Sequence, residues 1–279
     1  MSSSVVRRVF RGHPNISIGC VMLCLILGGT AAVGWARAAD PIRQAIIDSF
    51  QAPSMTHPFG TDQYGRDVFA RTSYGLRVSL VVGVSGVLIG TLTGGILGVI
   101  AGFRLGRIDQ IIMRVTDGLM SFPLLILGLM VMAALGSGMS KLVVAIAVST
   151  MPRFIRIARA QTLIVREKEY IQACRALGQS DGRIVGRHVL PNVVGPVVVM
   201  CSLWTATAIR IEASLSFIGL SVRPPTPSLG GMVREGFDRL ADAPWLAVFP
   251  GLALLFMVFA FNLIGDGLRD WTDPRVRRG

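Results

Sequence analysis

Lysine is almost missing from these 279 residues, occurring only as Lys141 and Lys168. A phosphate-cradling P-loop needs a lysine preceded by glycine, but these two follow Ser140 and Glu167, so the chain holds no nucleotide by that route. Charge is scarce as well. Charged residues make up 16% of the chain, against about a quarter in soluble domains, while 52% is apolar and the mean hydropathy is +0.59. An ordinary soluble domain is excluded. Cysteine is limited to Cys20, Cys24, Cys174 and Cys201, with no CxxC pair, which excludes a disulfide framework. His13, His57 and His188 lie far apart without a second ligand nearby, so no metal site is expected. A nucleophile elbow, an HExxH helix and a paired-carboxylate constellation are also lacking. The chain is therefore read as non-enzymatic, with no catalytic residues and no cofactor.

What it has instead is long apolar runs. A bilayer core of about 30 Å asks for roughly 20 apolar residues per helix, and six stretches qualify: 16–36, 78–101, 118–136, 142–160, 193–217 and 245–264. Pro123 interrupts the third, Pro152 and three arginines burden the fourth, and Arg210 and Glu212 sit near the far end of the fifth. The expected fold is an all-helical polytopic membrane protein with six spans. The net charge of +12 could suggest nucleic acid, but the arginines sit in short clusters beside apolar runs. With a cytoplasmic N-terminus the inner segments hold Arg7, Arg8, Arg11, Arg104, Arg107 and Arg114, the cluster between 153 and 187, and a C-terminal group; the outer segments hold half as many. That asymmetry predicts both termini in the cytoplasm and no nucleic-acid partner. Arg7-Arg8 ahead of the first run resembles a twin-arginine signal, and Ala36-Arg37-Ala38 a cleavage site. The run exceeds the roughly 7–15 residues of a signal core, so an uncleaved span is expected.

Three patterns carry more detail. Gly86, Gly90, Gly94, Gly98 and Gly102 recur every fourth residue, an almost side-chain-free ridge on which another helix can pack, within this chain or across to another. Arg210 and Glu212, two residues apart and so on different faces, are candidates for a translocation path, or for snorkelling to the outer interface. Arg153, Arg156 and Arg159 recur every third residue in a fourth span, as in a voltage-sensing channel. No TVGYG-like filter follows, however, and the positive-inside rule accounts for them. A secondary transporter would want midplane ionisable groups and an internal repeat, and neither is evident.

The segment 166–191 is charged, helix-prone and closed by Leu190-Pro191. Glu167 to Tyr170 lead into Ile171 to Leu177, which reads as a helix that Gly178 ends in a left-handed cap; a second helix starts near Ser180 or Asp181, whose side chains can cap it, and ends before Pro191. Two short helices on a glycine turn form a compact knob for a partner's groove, or a hairpin lying on anionic headgroups. Gln172-Ala173-Cys174, then Arg175-Ala176-Leu177, Gly178 and finally Leu190-Pro191 resembles the EAA loop of ABC importer permeases. Gln172 stands where that loop has Glu, and Cys174 where it has Ala. His57-Pro58-Phe59-Gly60-Thr61-Asp62 with Gly65-Arg66-Asp67-Val68, Tyr74 to Leu80, Leu215 to Leu220 and Pro224 to Ser228 are similar to segments of dipeptide, oligopeptide and nickel permeases of the "C" type.

The resemblance implies a type I ABC importer transmembrane domain in a bacterial inner membrane. Such a subunit pairs with a paralogous permease, contacts two ABC ATPase subunits inside and receives solute from an extracytoplasmic binding protein, with membrane lipid around it. The implied coupling residues are Glu169, Gln172, Ala173, Cys174, Ala176, Leu177, Gly178, Leu190 and Pro191. The division expected is 1–77 for tail, first span and outer segment, 78–267 for the transmembrane domain, and 268–279 for a cytoplasmic tail. The link 218–244, rich in proline and glycine, is expected to be an ordered scoop or lid facing the binding protein, with a flexible loop as the alternative.

Overall fold

The computed structural model describes residues 14–37 and 40–272, with the side chains of all but 30–37 and 272. The Arg7-Arg8 pair and the arginines at 275–278 lie outside the described residues. In chain order the helices are α1 (Pro14–Arg37), α2 (Val68–Arg104), α3 (Gly106–Met120), α4 (Leu124–Leu135), α5 (Met139–Arg166), α6 (Glu169–Ala176), α7 (Asp181–Ile184), α8 (Leu190–Phe217), α9 (Leu229–Phe237) and α10 (Trp245–Thr272). Short 3-10 and π segments occupy Ile46–Asp48 and Val185–Val189. No strand occurs among the described residues beyond a single bridge between Thr61 and Asp67.

The organising contact is α2 against α5. Asp67 starts α2 by accepting the Ala70 N–H at 2.8 Å, and two residues of positive φ, Leu105 (54°) and Gly106 (64°), end it. Its 37 residues extend about 55 Å, so the expected span 78–101 is only its middle. The five four-spaced glycines all face α5. A Cβ at Gly86 would stand 2.6 Å from Ile146, at Gly94 2.6 Å from the Met151 carbonyl, and at Gly102 2.8 Å from Thr162. Gly90 and Gly98 abut Thr150 and Ile155 as closely. The seam therefore lies inside this chain, with Phe154, Ile146 and Ala158 buried along it. On the other side α8 packs between α2 and α10, and α10 carries α1.

Where the sequence predicts a third span at 118–136, the chain instead bends by 95° between α3 and α4. Pro123 lacks an N–H and pushes Phe122 towards extended backbone, which stops a helix there. Only α4 is apolar throughout, while α3 presents Asp109 and Asp117 to α5. Among the described residues three helices are long and apolar enough to cross a membrane, or four if the bent pair counts as one. The described part of α1 is apolar over Pro14–Gly29, and α5 is long but carries Arg153, Arg156 and Arg159 in its second half.

A further difference lies at Pro191. The helix beginning at Asp181 does not end there but runs on to Phe217 through the π turn Val185–Val189. A π turn widens the helix just ahead of the ring, which relieves the clash with the preceding carbonyls and tolerates the missing donor.

Candidate functional site

The segment between α5 and α8 is anchored from below by three apolar side chains and open above. Ile171, Ile184 and Val189 are wholly buried in the main core, with Cys174 and Val185 packed against them. Glu169, Gln172, Ala173, Ala176, Leu177, Gly178, Leu190 and Pro191 are exposed, Leu177 at 80% and Leu190 at 40%. Removing two large aliphatic side chains from water favours association by about 1.5–3 kcal/mol each, so this surface has the means to bind a partner.

Its rigidity comes from the turn. Gly178 has φ +74°, its N–H donates to the Arg175 carbonyl at 2.9 Å, and the Gln179 N–H donates to the Cys174 carbonyl at 3.1 Å. That pair of bonds is a Schellman cap, which satisfies carbonyls the helix end would leave orphaned. Glu169 in the first turn and Arg175 in the last both complement the helix dipole. Arg175 lies over the Phe103 ring at 5.3 Å and so ties α6 to the end of α2. Gln172 turns back to the Glu167 carbonyl at 3.4 Å, and Cys174 Sγ is 3.8 Å from His188. Ser180 occupies the N-cap of α7, but its side chain makes no capping bond.

The three arginines of α5 are each committed. Arg159 grips Asp109 through two bonds of 2.6 and 2.7 Å, Arg156 bonds Asp117 at 2.6 Å, and Arg153 stacks on Trp204 at 4.6 Å. A voltage sensor needs arginines free to move through the field; these hold α3 and α8 against α5.

Arg210 and Glu212 part company in the fold. Glu212 is wholly buried between α8 and α2, where Ser79 Oγ donates to one carboxyl oxygen at 2.6 Å and Ser216 Oγ reaches the other at 2.7 Å. With no exposed surface, it ties α8 to α2. Arg210 is exposed between two open apolar grooves formed with α9 and α10, its one side-chain bond among the described residues being to Thr207 at 3.1 Å.

A network that sequence reasoning did not identify caps the other end of α2. Asp62 accepts the Arg66 Nε–H at 2.6 Å and the Arg66 and Tyr64 amides at 2.9 Å, while Arg71 reaches Asp62 at 3.3 Å and Glu235 at 3.0 Å. Asp62, Arg66 and Arg71 are all at most 6% exposed. Around them Asp67 accepts from His57 Nδ1 at 2.9 Å, Trp245 Nε1 donates to the Thr61 carbonyl, and Phe59 stacks on Phe249. The four-residue spacing of Asp62 and Arg66 was the one readable signal; Glu235, 164 positions from Arg71, had none. The link 218–244 belongs to this body: α9 buries Leu229 and Met232 against α2 and α10, so it is an ordered, packed element.

Residues 94–278 match the family described as binding-protein-dependent transport system inner membrane component. A peptide transport system permease protein of Brucella abortus is 40% identical over 271 residues, covering 97% of this chain and 91% of that protein. The glutathione transport system permease protein GsiD of Pectobacterium atrosepticum is 40% identical over 275 residues, covering 97% and 90%. Among solved structures, an inward-facing MetNI methionine ABC transporter chain superposes with a TM-score of 0.59 at 18% identity, over 71% of this chain and 95% of that one. An amino acid ABC transporter chain gives 0.55 at 16% identity, over 75% and 94%; at such identities the likeness concerns the fold. The family match and these relatives agree with the helical fold: the chain belongs to the inner membrane components of binding-protein-dependent transport systems, multi-pass permease subunits of ABC importers.

Proposed function

We propose that this chain forms half of the translocation path of an ATP-driven importer for peptides or related small solutes, and that α6 with its glycine turn is where it takes up work from an ATPase. In this reading it crosses the membrane six times with both termini in the cytoplasm; residues 78–267 are the transmembrane domain, flanked by 1–77 and 268–279. It pairs with a paralogous permease, meets two ATPase subunits inside and accepts solute from a binding protein outside. The observation that carries the reading is the α6 surface, buried below through Ile171 and Ile184 yet exposing Ala173, Leu177 and Leu190. A knob so anchored transmits a push to α5 and α8 as rigid bodies. Peptides and glutathione, the solutes for which its relatives are named, set the substrate range. Arg210, exposed in its apolar groove, is the candidate for lining the path.

The test is reconstitution with the partner subunits, followed by Gly178→Val and Ala173→Asp. The first strains a left-handed turn and the second puts a charge on the docking face. Both variants should assemble in the membrane and lose solute uptake while ATP hydrolysis continues uncoupled; unchanged uptake in both would end the coupling assignment.

A further inference from the structure

A half-open cavity of about 260 Å³ lies at the other end of the molecule, bordered by the end of α8, the 219–228 connection and α9. Its floor holds Ser216 and Ser221, 2% and 5% exposed, and its walls carry Arg66, Arg71, Arg234 and Glu235. The charges do not cancel. Asp62 and Glu235 neutralise Arg66 and Arg71, which leaves the Arg234 guanidinium without a carboxylate among the described residues. Arg234 is seated over Gly219, where a Cβ would come within 2.7 Å of its Nη1, and Gly219 itself has φ +94°. The backbone there makes room for that guanidinium at the mouth. Deeper in, Arg71 Nη1 is buried and stands 3.3 Å from Asp62 without a directed hydrogen bond, so it keeps donor capacity. Glu235 meets both arginines through Oε2 alone; its side chain is 48% exposed, and Oε1 is left to accept.

An uncommitted guanidinium beside an uncommitted carboxylate oxygen, on adjacent residues of one helix, matches a ligand with a carboxylate and an ammonium. We infer that this cavity binds a small zwitterionic solute of the peptide class, its carboxylate on Arg234 and its ammonium on Glu235. The size agrees, standing just under the roughly 300 Å³ at which small-molecule pockets begin. The inference rests on the importer reading for its substrate class, since it names a solute contact on this subunit itself.

The experiment uses the full chain in lipid nanodiscs, titrated with Ala-Ala, its C-terminal amide and its N-acetyl form, with binding followed by saturation-transfer NMR. Losing a charged hydrogen bond weakens binding about tenfold or more. The amide and the N-acetyl peptide should each bind at least that much more weakly than Ala-Ala; Arg234→Ala should lose the preference for the free acid, and Arg234→Lys should keep part of it. Equal binding of the three peptides, or full binding by Arg234→Ala, would overturn the assignment. So would an Arg234→Ala variant that keeps Ala-Ala but no longer captures the binding protein, which would make the cavity a protein-docking site. A wild-type assembly that binds Ala-Ala yet shows no ATP-driven uptake would count against the importer reading and leave the cavity assignment standing.

Discussion

Gly178 and Glu212 show how single residues divide the labour. Gly178 adopts φ +74° with open space around it, so a substitution there acts through the backbone alone. Any residue with a Cβ costs about 1–2 kcal/mol in that conformation, enough to reshape a surface turn but not to unfold the core. Glu212 is the opposite case. Replacing it with Leu strands the Ser79 hydroxyl in an apolar contact, at about 1–3 kcal/mol for a buried group left unsatisfied, while Ser216 keeps its bond to Ser221 at 2.7 Å. Glu212→Leu should therefore lower the unfolding temperature in detergent, whereas Glu212→Gln, which still offers an acceptor, should stay close to wild type; an equal loss in both would mean that charge matters and not pairing. Asp62 invites a larger effect. Its removal leaves two buried arginines short of a partner, and breaking such a pair costs about 3–5 kcal/mol. By contrast Asp117→Ala, at a pair about half exposed on both sides, should change stability by no more than about 1 kcal/mol, as chemical denaturation of the two variants would show.

Among the helices, the glycine ridge of α2 was readable in advance because a period of four on a helix returns to nearly the same face. Its partner was not readable, since many helices could present a complementary surface. The fold supplies α5, and with it a controlled experiment on adjacent residues. Gly94 meets the Met151 carbonyl and Phe154, while Gly95 has nothing within 4 Å of a prospective Cβ. Gly94→Leu should disrupt the α2–α5 contact by at least the 1–3 kcal/mol typical of overpacking, and Gly95→Leu should be tolerated. Thermal aggregation of the two variants would decide it, and equal tolerance would show that the seam yields. The break between α3 and α4 was half visible. Pro123 marked the place, but apolar residues on both sides made 118–136 look continuous, and the bend depends on α3 being held by Arg156 and Arg159 of another helix. Likewise Leu190-Pro191 looked like a helix end, because a proline's effect depends on whether a π turn precedes it.

For the molecule as a whole, the proposed arrangement puts α6 and the Asp62 network on opposite sides of the bilayer. In a variant freed of its four native cysteines, a cysteine at Leu177 should react with a membrane-impermeant maleimide only from the cytoplasm, and one at Met55, 95% exposed, only from outside. Labelling of both from one side would dismantle the six-span topology.

Composition and hydropathy sufficed to establish a helical membrane protein, because the cost of burying backbone in lipid depends on residue type and run length, both of which are local. The motif around Gly178 was legible for the same reason, a cap being built within six residues. Beyond the local pair Asp62–Arg66, charge partners were decided by the tertiary structure alone. Whether Arg210 meets a groove and Glu212 a pair of serines, or whether Arg71 finds Glu235 across 164 positions, depends on which helices come to lie side by side, and electrostatic energy follows distance in space, not separation along the chain.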